Sequence, residues 1–440
     1  MPVYFSPSIL AGLSENFLCP RNHLGAKGQL QFKMKFLEKG KVEKMSRSRP
    51  FYPPRLNPVL ARLIQSISPL GANLFYQLDL EIAPADIDKL KALGRDRYVL
   101  LPNHSQFNDA IVVVLLSTRI GELFHYLVAH EVFAGMLGKL LQTMGAYSIR
   151  RGVADRASVA ESLKILRQNA ARLVIFPEGG CSFQNDIVMP FRTGAIQLPF
   201  QAMTRGLARG ELPNLHLVPV SIKYRYTRPM DGAIARSLTR LEEALNLSPP
   251  PETDFYGRLR AVAEQVLVNI EGEYGLNGVD IKQMNWNQRI SRIKTQAIAR
   301  CERPLDLAPA PKMPDRERVY KVQHVLASRP ENIKDTEIDA IANTAARLLN
   351  FDAIYDGYVA AAPTPERFLD TIARLEREVF AIDSPPVKGH RRAIVRIGDP
   401  VNLKDYMESY RENRTATVER LAQQMQEAVQ RNLIAASSDT

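Results

Sequence analysis

Residues 99–116 read VLLPNHSQFNDAIVVVLL, two apolar runs with a polar knot between them. The first run, with Tyr98 ahead of it, has strand length and stops on Pro102. The second opens at Asp109 and continues as a helical pattern, so NHSQFND is the turn from a strand into a helix. The same alternation carries on from Tyr98 to Tyr226. RLVIFP and LHLVPVSI read as further strands, and helices are expected over 109–120, 133–144, 155–169 and 193–205. Within DRASVAES, Asp155 or Ser158 serves as N-cap, with Glu161 completing a capping box behind Ser158. Alternating strands and helices predict an α/β fold, a mostly parallel sheet core flanked by helices.

Past Arg228 the pattern changes. Residues 229–384 read almost wholly as helices, with breaks at SPPPETD, RPLDLAPAPKMP and AAAPTP. RRAIVRIGDPVNL then returns to a strand, and Val418, Leu421, Met425 and Val429 mark one face of a closing helix. The expected organisation is therefore a core over 55–228 and 385–440, with 229–384 as a large helical insertion before the last strand and helix. Residues 1–54 form a basic leader, expected to be disordered, and Met45 offers an alternative start to residues 1–44. At the start of the core, Leu56, Val59, Leu60, Leu63, Ile64 and Ile67 recur at helical steps beside Arg55 and Arg62. That stripe fits either a helix packed on the core or one lying at a membrane surface.

The charge balance limits the choice of partners. Residues 1–55 hold ten Lys/Arg and three Asp/Glu, a net of +7 out of +11, so the other 385 residues carry only +4. The folded body lacks the basic surplus of a nucleic-acid binder, and no specific nucleic-acid partner is expected. Hydrophobic residues at 45% against 24% charged give a globular composition. Cys19, Cys181 and Cys301 are too scattered for a disulfide framework or a zinc site, which points to a reducing compartment. No run approaches the ~18 apolar residues of a spanning helix. His130-Glu131 lacks the second histidine of a metal motif and no Gly-rich phosphate loop occurs, so neither a metal nor nucleotide hydrolysis is expected.

The knot carries the chemistry. On one continuous helix, His104 and Asp109 would stand ~140° apart. They meet only if His104 lies on the turn and Asp109 in the helix's first turn, where a carboxylate is favoured. Asp109 accepting from Nδ1 would fix the tautomer and leave Nε2 to take a proton from a hydroxyl. No Gly-x-Ser-x-Gly elbow accompanies the pair, so a serine triad is not indicated. A plain N-cap beside a turn histidine is the competing reading of the two residues taken alone.

NHSQFND resembles the His-x4-Asp motif of the glycerolipid (lysophosphatidate-type, 1-acylglycerol-3-phosphate) acyltransferases. Further blocks follow in that family's order. AHEVFAGMLGKLLQTMGAYSIRRG is similar to its second block, here with Gly145, Ile149 and Arg150; Phe176 to Gly179 resemble its Phe-Pro-Glu-Gly block; FRTGA and Val218-Pro219-Val220 resemble the next two. VRIGDPVNL resembles its closing Gly-acid-Pro strand. The likeness covers 55–228 and 385–436 and none of the helical stretch. It implies an O-acyltransferase in which His104 is the general base and Asp109 its orienter, while Asn103, Arg150, Glu178, Gly179 and Arg192 meet the substrate. One departure stands out: Gly180 and Cys181 occupy positions where the family commonly has Thr-Arg, whose arginine grips a phosphate.

The resulting expectation is transfer of a fatty acyl group from acyl-CoA or acyl-ACP to a hydroxyl of a glycerolipid-like acceptor, by direct attack without an acyl-enzyme or any bound cofactor. The implied partners are an acyl thioester donor, with acyl carrier protein as one candidate, a lipid acceptor, and the membrane surface on which a cytoplasmic enzyme would lie peripherally. Two other readings keep the fold: a non-catalytic lipid- or membrane-binding member, and an acyl-thioesterase. The cysteine beside the motif, Cys181, is read as an inert small residue rather than a nucleophile.

Overall fold

β2 (Arg97–Pro102) sits in the middle of the sheet because its residues are apolar on both sides. Val99 and Leu101 pack on one face with Leu173, Phe200 and Leu217, while Tyr98 and Leu100 pack on the other with Val112, Val218 and Val220. Parallel neighbours flank it, β5 (Arg172–Val174) on one side and β6 (Leu215–Tyr226) on the other. The full order of the eight-stranded sheet is β1-β7-β6-β2-β5-β3-β4, with β8 (Val401–Asn402) paired to β6. Every pairing is parallel except those of β6 with β7 (Arg391–Ile397) and with β8. Among the described residues, a mostly parallel mixed sheet flanked by 15 α-helices gives the expected α/β architecture. The computed structural model describes residues 51–440 apart from 211–212, 277, 279–282, 329–332 and 439–440, so the leader expected over 1–54 lies outside the described residues but for its last four.

Three strands carry no clear announcement in the sequence: β1 (Leu78–Ile82), β3 (His125–Ala129) and β4 (Ala146–Ile149). The first pairs with β7, more than 300 residues away, and the other two are short strands at the far edge. The helices of this half are α1 (Pro58–Tyr76), α2 (Pro84–Ala92), α3 (Asp109–Ile120), α4 (Gly135–Thr143), α5 (Arg156–Leu166) and α6 (Gly194–Leu207). At α5 the cap is Asp155, whose side chain accepts from the Ser158 amide at 3.2 Å. Ser158 is therefore inside the helix, and the capping box expected with Glu161 gives way to the stronger aspartate cap.

Between β6 and β7 the chain is helical: α7 (Asp231–Leu245), α8 (Phe255–Tyr274), α9 (Trp286–Glu302), α10 (Asp315–Ala327), α11 (Asp335–Asn350), α12 (Tyr358–Ala361) and α13 (Pro365–Val379). These helices share a core that includes Leu241, Val262, Ile293, Ala297 and Ile372. Phe51 to Thr440 nevertheless form one compact unit. After β8 come α14 (Met407–Glu412) and α15 (Arg414–Ser438), and the face of α15 with Val418, Leu421, Met425 and Val429 is buried against the sheet.

The stripe on α1 faces outward. Ala61, Gln65 and Ala72 are buried, whereas Val59, Leu63, Ile67, Leu70 and Leu74 are each more than half exposed. Helix α4 shows the same inversion, burying Gly138 and Gln142 and exposing Met136, Leu137 and Leu140. The two are tied at one end, where Arg55 N donates to Gln142 O, Asn57 N to Thr143 O, and Gln142 Nε2 to Pro53 O. Among the described residues, no helix is long and apolar enough to cross a membrane.

Candidate active site

The turn predicted between β2 and α3 places His104 beside Asp109. Nδ1 donates to Asp109 Oδ2 at 2.8 Å, and that oxygen also accepts the Gln106 amide at 2.9 Å. Asp109 is fully buried at the start of α3, and its Oδ1 accepts from Tyr224 Oη at 2.6 Å. Burial, then the carboxylate beside it, hold the Tyr224 hydroxyl well above its ordinary pKa, so it stays a donor. Burial alone would lower the pKa of the His104 ring. The Cys181 sulfur and the Asp109 carboxylate outweigh it and hold the ring well above its ordinary range.

The imidazole lies between Phe176, 4.4 Å away centroid to centroid, and Cys181. Cys181 Sγ stands 3.4 Å from Nε2 and 3.7 Å from Nδ1. Two such similar distances put the sulfur against the ring, off the in-plane lone pair of Nε2, whereas a thiol poised to give up its proton would lie along that line. The inert reading of this cysteine fits that position better than a nucleophilic one.

Glu178, expected to meet the substrate, is buried and only 2% exposed. Its Oε1 accepts the His104 amide at 2.7 Å and Oε2 the Met189 amide at 3.1 Å, so it ties the motif turn to the loop behind it. Burial pushes its carboxyl up to about 8, against the pull of those amides and of Arg316. Asn103 is likewise occupied: Oδ1 accepts Ile222 N at 2.7 Å and Nδ2 donates to Ile222 O at 3.1 Å, a clasp between β2 and β6. Both side chains are buried and hold the site from behind through these backbone bonds.

Gly179 has φ +73°, a conformation that favours glycine, and a Cβ there would come within 2.4 Å of the Arg192 guanidinium, which would have to shift. Arg192 is ion-paired with Glu317 at 2.6 Å and lies 5.3 Å over the Tyr320 ring. Arg151 stacks on the same ring at 4.2 Å and donates to its hydroxyl at 3.0 Å. Arg150, the expected cation, is not joined to this cluster by any hydrogen bond or ion pair among the described residues; its contacts are to Asp155.

Helices α10 and α13 complete the site. Tyr320 Oη donates to Gly179 O at 2.8 Å, and Arg316 donates to Gly180 O at 2.8 Å and to Cys181 O at 3.1 Å while pairing with Asp352. A Cβ on Gly180 would sit 2.5 Å from Tyr320 Oη and 2.9 Å from Arg316 Nη1, which explains a glycine in that position. From α13, Arg374 donates to Ser182 O, and Asp370 accepts from Asn185 N at 3.1 Å and from Gln106 Nε2 at 3.5 Å. Sequence reasoning missed Tyr224, Arg316, Tyr320, Asp370 and Arg374, which lie 100 residues or more from the motif residues they contact. The glycine pair at 179–180 was the one local hint that something packs closely there.

The family model described as Acyltransferase matches residues 83–223, a span that includes His104, Asp109, Glu178 and Arg192. No curated protein matches the chain.

Proposed function

We propose, from a chain that through residues 83–223 belongs to the acyltransferase family, that it moves a fatty acyl group from a coenzyme A or acyl carrier protein thioester to a glycerolipid-like hydroxyl. The observation that carries this is the His104–Asp109 pair: with Nδ1 committed to a buried carboxylate, Nε2 is the ring nitrogen left to accept a proton. Nε2 takes the acceptor's proton, the oxygen attacks the thioester carbon, and the carrier thiol leaves with that proton. Asp109 fixes the tautomer and steadies the imidazolium. Direct attack suits a site whose cysteine lies off the Nε2 lone pair.

The lipid character of the substrates accords with the surface. α1 and α4 turn apolar residues outward on two helices tied at one end, with Arg55 and Arg62 beside them. An apolar face with flanking cations suits the headgroup layer of an anionic membrane. This favours a peripheral enzyme.

The test is thiol release from a long-chain acyl-coenzyme A or acyl carrier protein, with and without lysophospholipid, glycerol 3-phosphate and neutral alcohols. Acceptor-dependent release that disappears in His104→Ala is expected. Release without acceptor would indicate a thioesterase instead, and unaltered transfer by His104→Ala would remove the histidine from the mechanism.

A further inference from the structure

We propose that Arg377, supplied by α13, binds the phosphate of the acceptor and so selects phosphate-bearing acceptors at the His104 site; this rests on the acyltransferase reading. Positions 180 and 181 bring no cation to the loop, and three guanidinium groups close to it have other work. Arg316 is taken up by three backbone carbonyls and Asp352, Arg374 by carbonyls of Ser182 and Asn350, and Arg192 by Glu317.

Arg377 differs. Its Nε and Nη1 are buried and have no hydrogen-bond partner. A buried guanidinium N–H without an acceptor is costly, and an incoming oxyanion relieves that cost with charge-assisted hydrogen bonds. The neighbouring carboxylates do not fill the role. Asp383 and Glu378 act on Arg377 through space, and Glu378 is already held by Arg347 at 2.7 Å.

Its location suits an acceptor. The guanidinium lies 4.5 Å over Phe183 and 5.6 Å over Phe107, two rings in edge contact at 5.3 Å. Phe107 belongs to the NHSQFND turn and Phe183 follows Cys181 by two residues, so Arg377 sits across the two loops that frame His104. Cys181 touches the His104 ring and lies within electrostatic reach of Arg377. An acceptor with its hydroxyl at Nε2 therefore lays its neighbouring substituent over Cys181 toward this arginine. On a glycerolipid backbone, the anionic substituent that can lie in that direction is a phosphate ester.

The experiment compares kcat/KM for lysophosphatidate with kcat/KM for 1-monoacylglycerol in the wild type, Arg377→Gln and Arg377→Lys. Losing a charge-assisted contact should reduce the ratio of the two by about tenfold or more in Arg377→Gln, chiefly through KM for lysophosphatidate, with partial recovery in Arg377→Lys. An unchanged ratio, or a wild type that prefers the neutral acceptor, would overturn the proposal while leaving the acyltransferase standing. A second readout needs no turnover: alkylation of Cys181 by iodoacetamide, located by mass spectrometry. Glycerol 3-phosphate should slow it in the wild type, glycerol should not, and Arg377→Gln should lose the protection. Absence of protection in the wild type would defeat the phosphate site even if no acyl transfer were found; protection retained by Arg377→Gln would assign the phosphate to another residue.

Discussion

In the proposed mechanism His104 combines a ring held charged more readily than usual with a task that needs it neutral. A general base works only once Nε2 has lost its proton. Because the Asp109 carboxylate and the Cys181 sulfur raise the pKa above the ordinary ~6.5, kcat/KM should rise with pH through a limb displaced to the alkaline side. Asp109→Asn removes the negative partner, so the limb should shift toward lower pH while the rate falls roughly 10²- to 10⁴-fold. A pH–rate profile reads both, and a limb that stays in place would show that Asp109 does not govern the ring. Cys181→Ala should retain most of the transfer rate; a loss comparable to that of His104→Ala would make the sulfur a covalent participant. Glu178 releases its proton at higher pH than a surface carboxylate, because burial raises its pKa. With its folded pKa raised to about 8, the native state holds a proton that the unfolded chain releases near ~4.5, so this group's contribution to stability falls as pH rises between those values. Denaturant midpoints measured across that window should depend less on pH in Glu178→Gln.

At the scale of elements, the loop after β5 is held from outside its own motif. Arg316 and Asp352 are both largely buried, and removing one member of such a pair typically costs about 3–5 kcal/mol. Arg316→Gln also frees the carbonyls of Gly180 and Cys181, so both the denaturation midpoint and the acyl-transfer rate should drop. Gly180→Ala should do the same more mildly, by about 1–3 kcal/mol, since Tyr320 and Arg316 must give way to the new methyl. Full stability and activity in Gly180→Ala would mean that α10 does not bear on the loop. The contrast with what the sequence reveals is instructive. The β2–turn–α3 unit was legible because its signals are local: an apolar run closed by Pro102, then Asp109 opening a helix. The clamp was not, because Arg316 reads as one more charge on an amphipathic helix. Its partners are backbone carbonyls 135 or more residues away, and carbonyls have no sequence signature. Asn103 and Glu178 fell between these cases, since their place beside the site was readable but their burial depended on β6 and the loop at Met189.

At the scale of the whole molecule, α1 poses the reverse problem. Its stripe was plain in the sequence, yet the direction it faces depends on what the rest of the fold leaves uncovered. The helix docks on α3 and β1 through its small or polar residues, with Gln65 donating to Ser117 Oγ at 2.9 Å and to Glu122 O at 2.8 Å. Val59, Leu63, Ile67, Leu70 and Leu74 are left exposed, as are Met136, Leu137 and Leu140 of α4, a cost that few monomers sustain over so many apolar side chains. Burying such side chains recovers about 1.5–3 kcal/mol for each one fully withdrawn from water, and partial insertion at the headgroup boundary recovers a fraction of it. Replacing Leu63, Ile67 and Leu70 together by Ser should therefore abolish co-sedimentation with vesicles of mixed neutral and anionic phospholipid. The denaturation midpoint should hardly change, because these residues make little of the core. Transfer to an acceptor embedded in vesicles should fall with binding, while transfer to water-soluble glycerol 3-phosphate, if that acceptor is used, should persist. Vesicle binding that survived the triple replacement would place the lipid contact elsewhere, and a collapse of the fold would mean that the exposed stripe is needed by the protein itself.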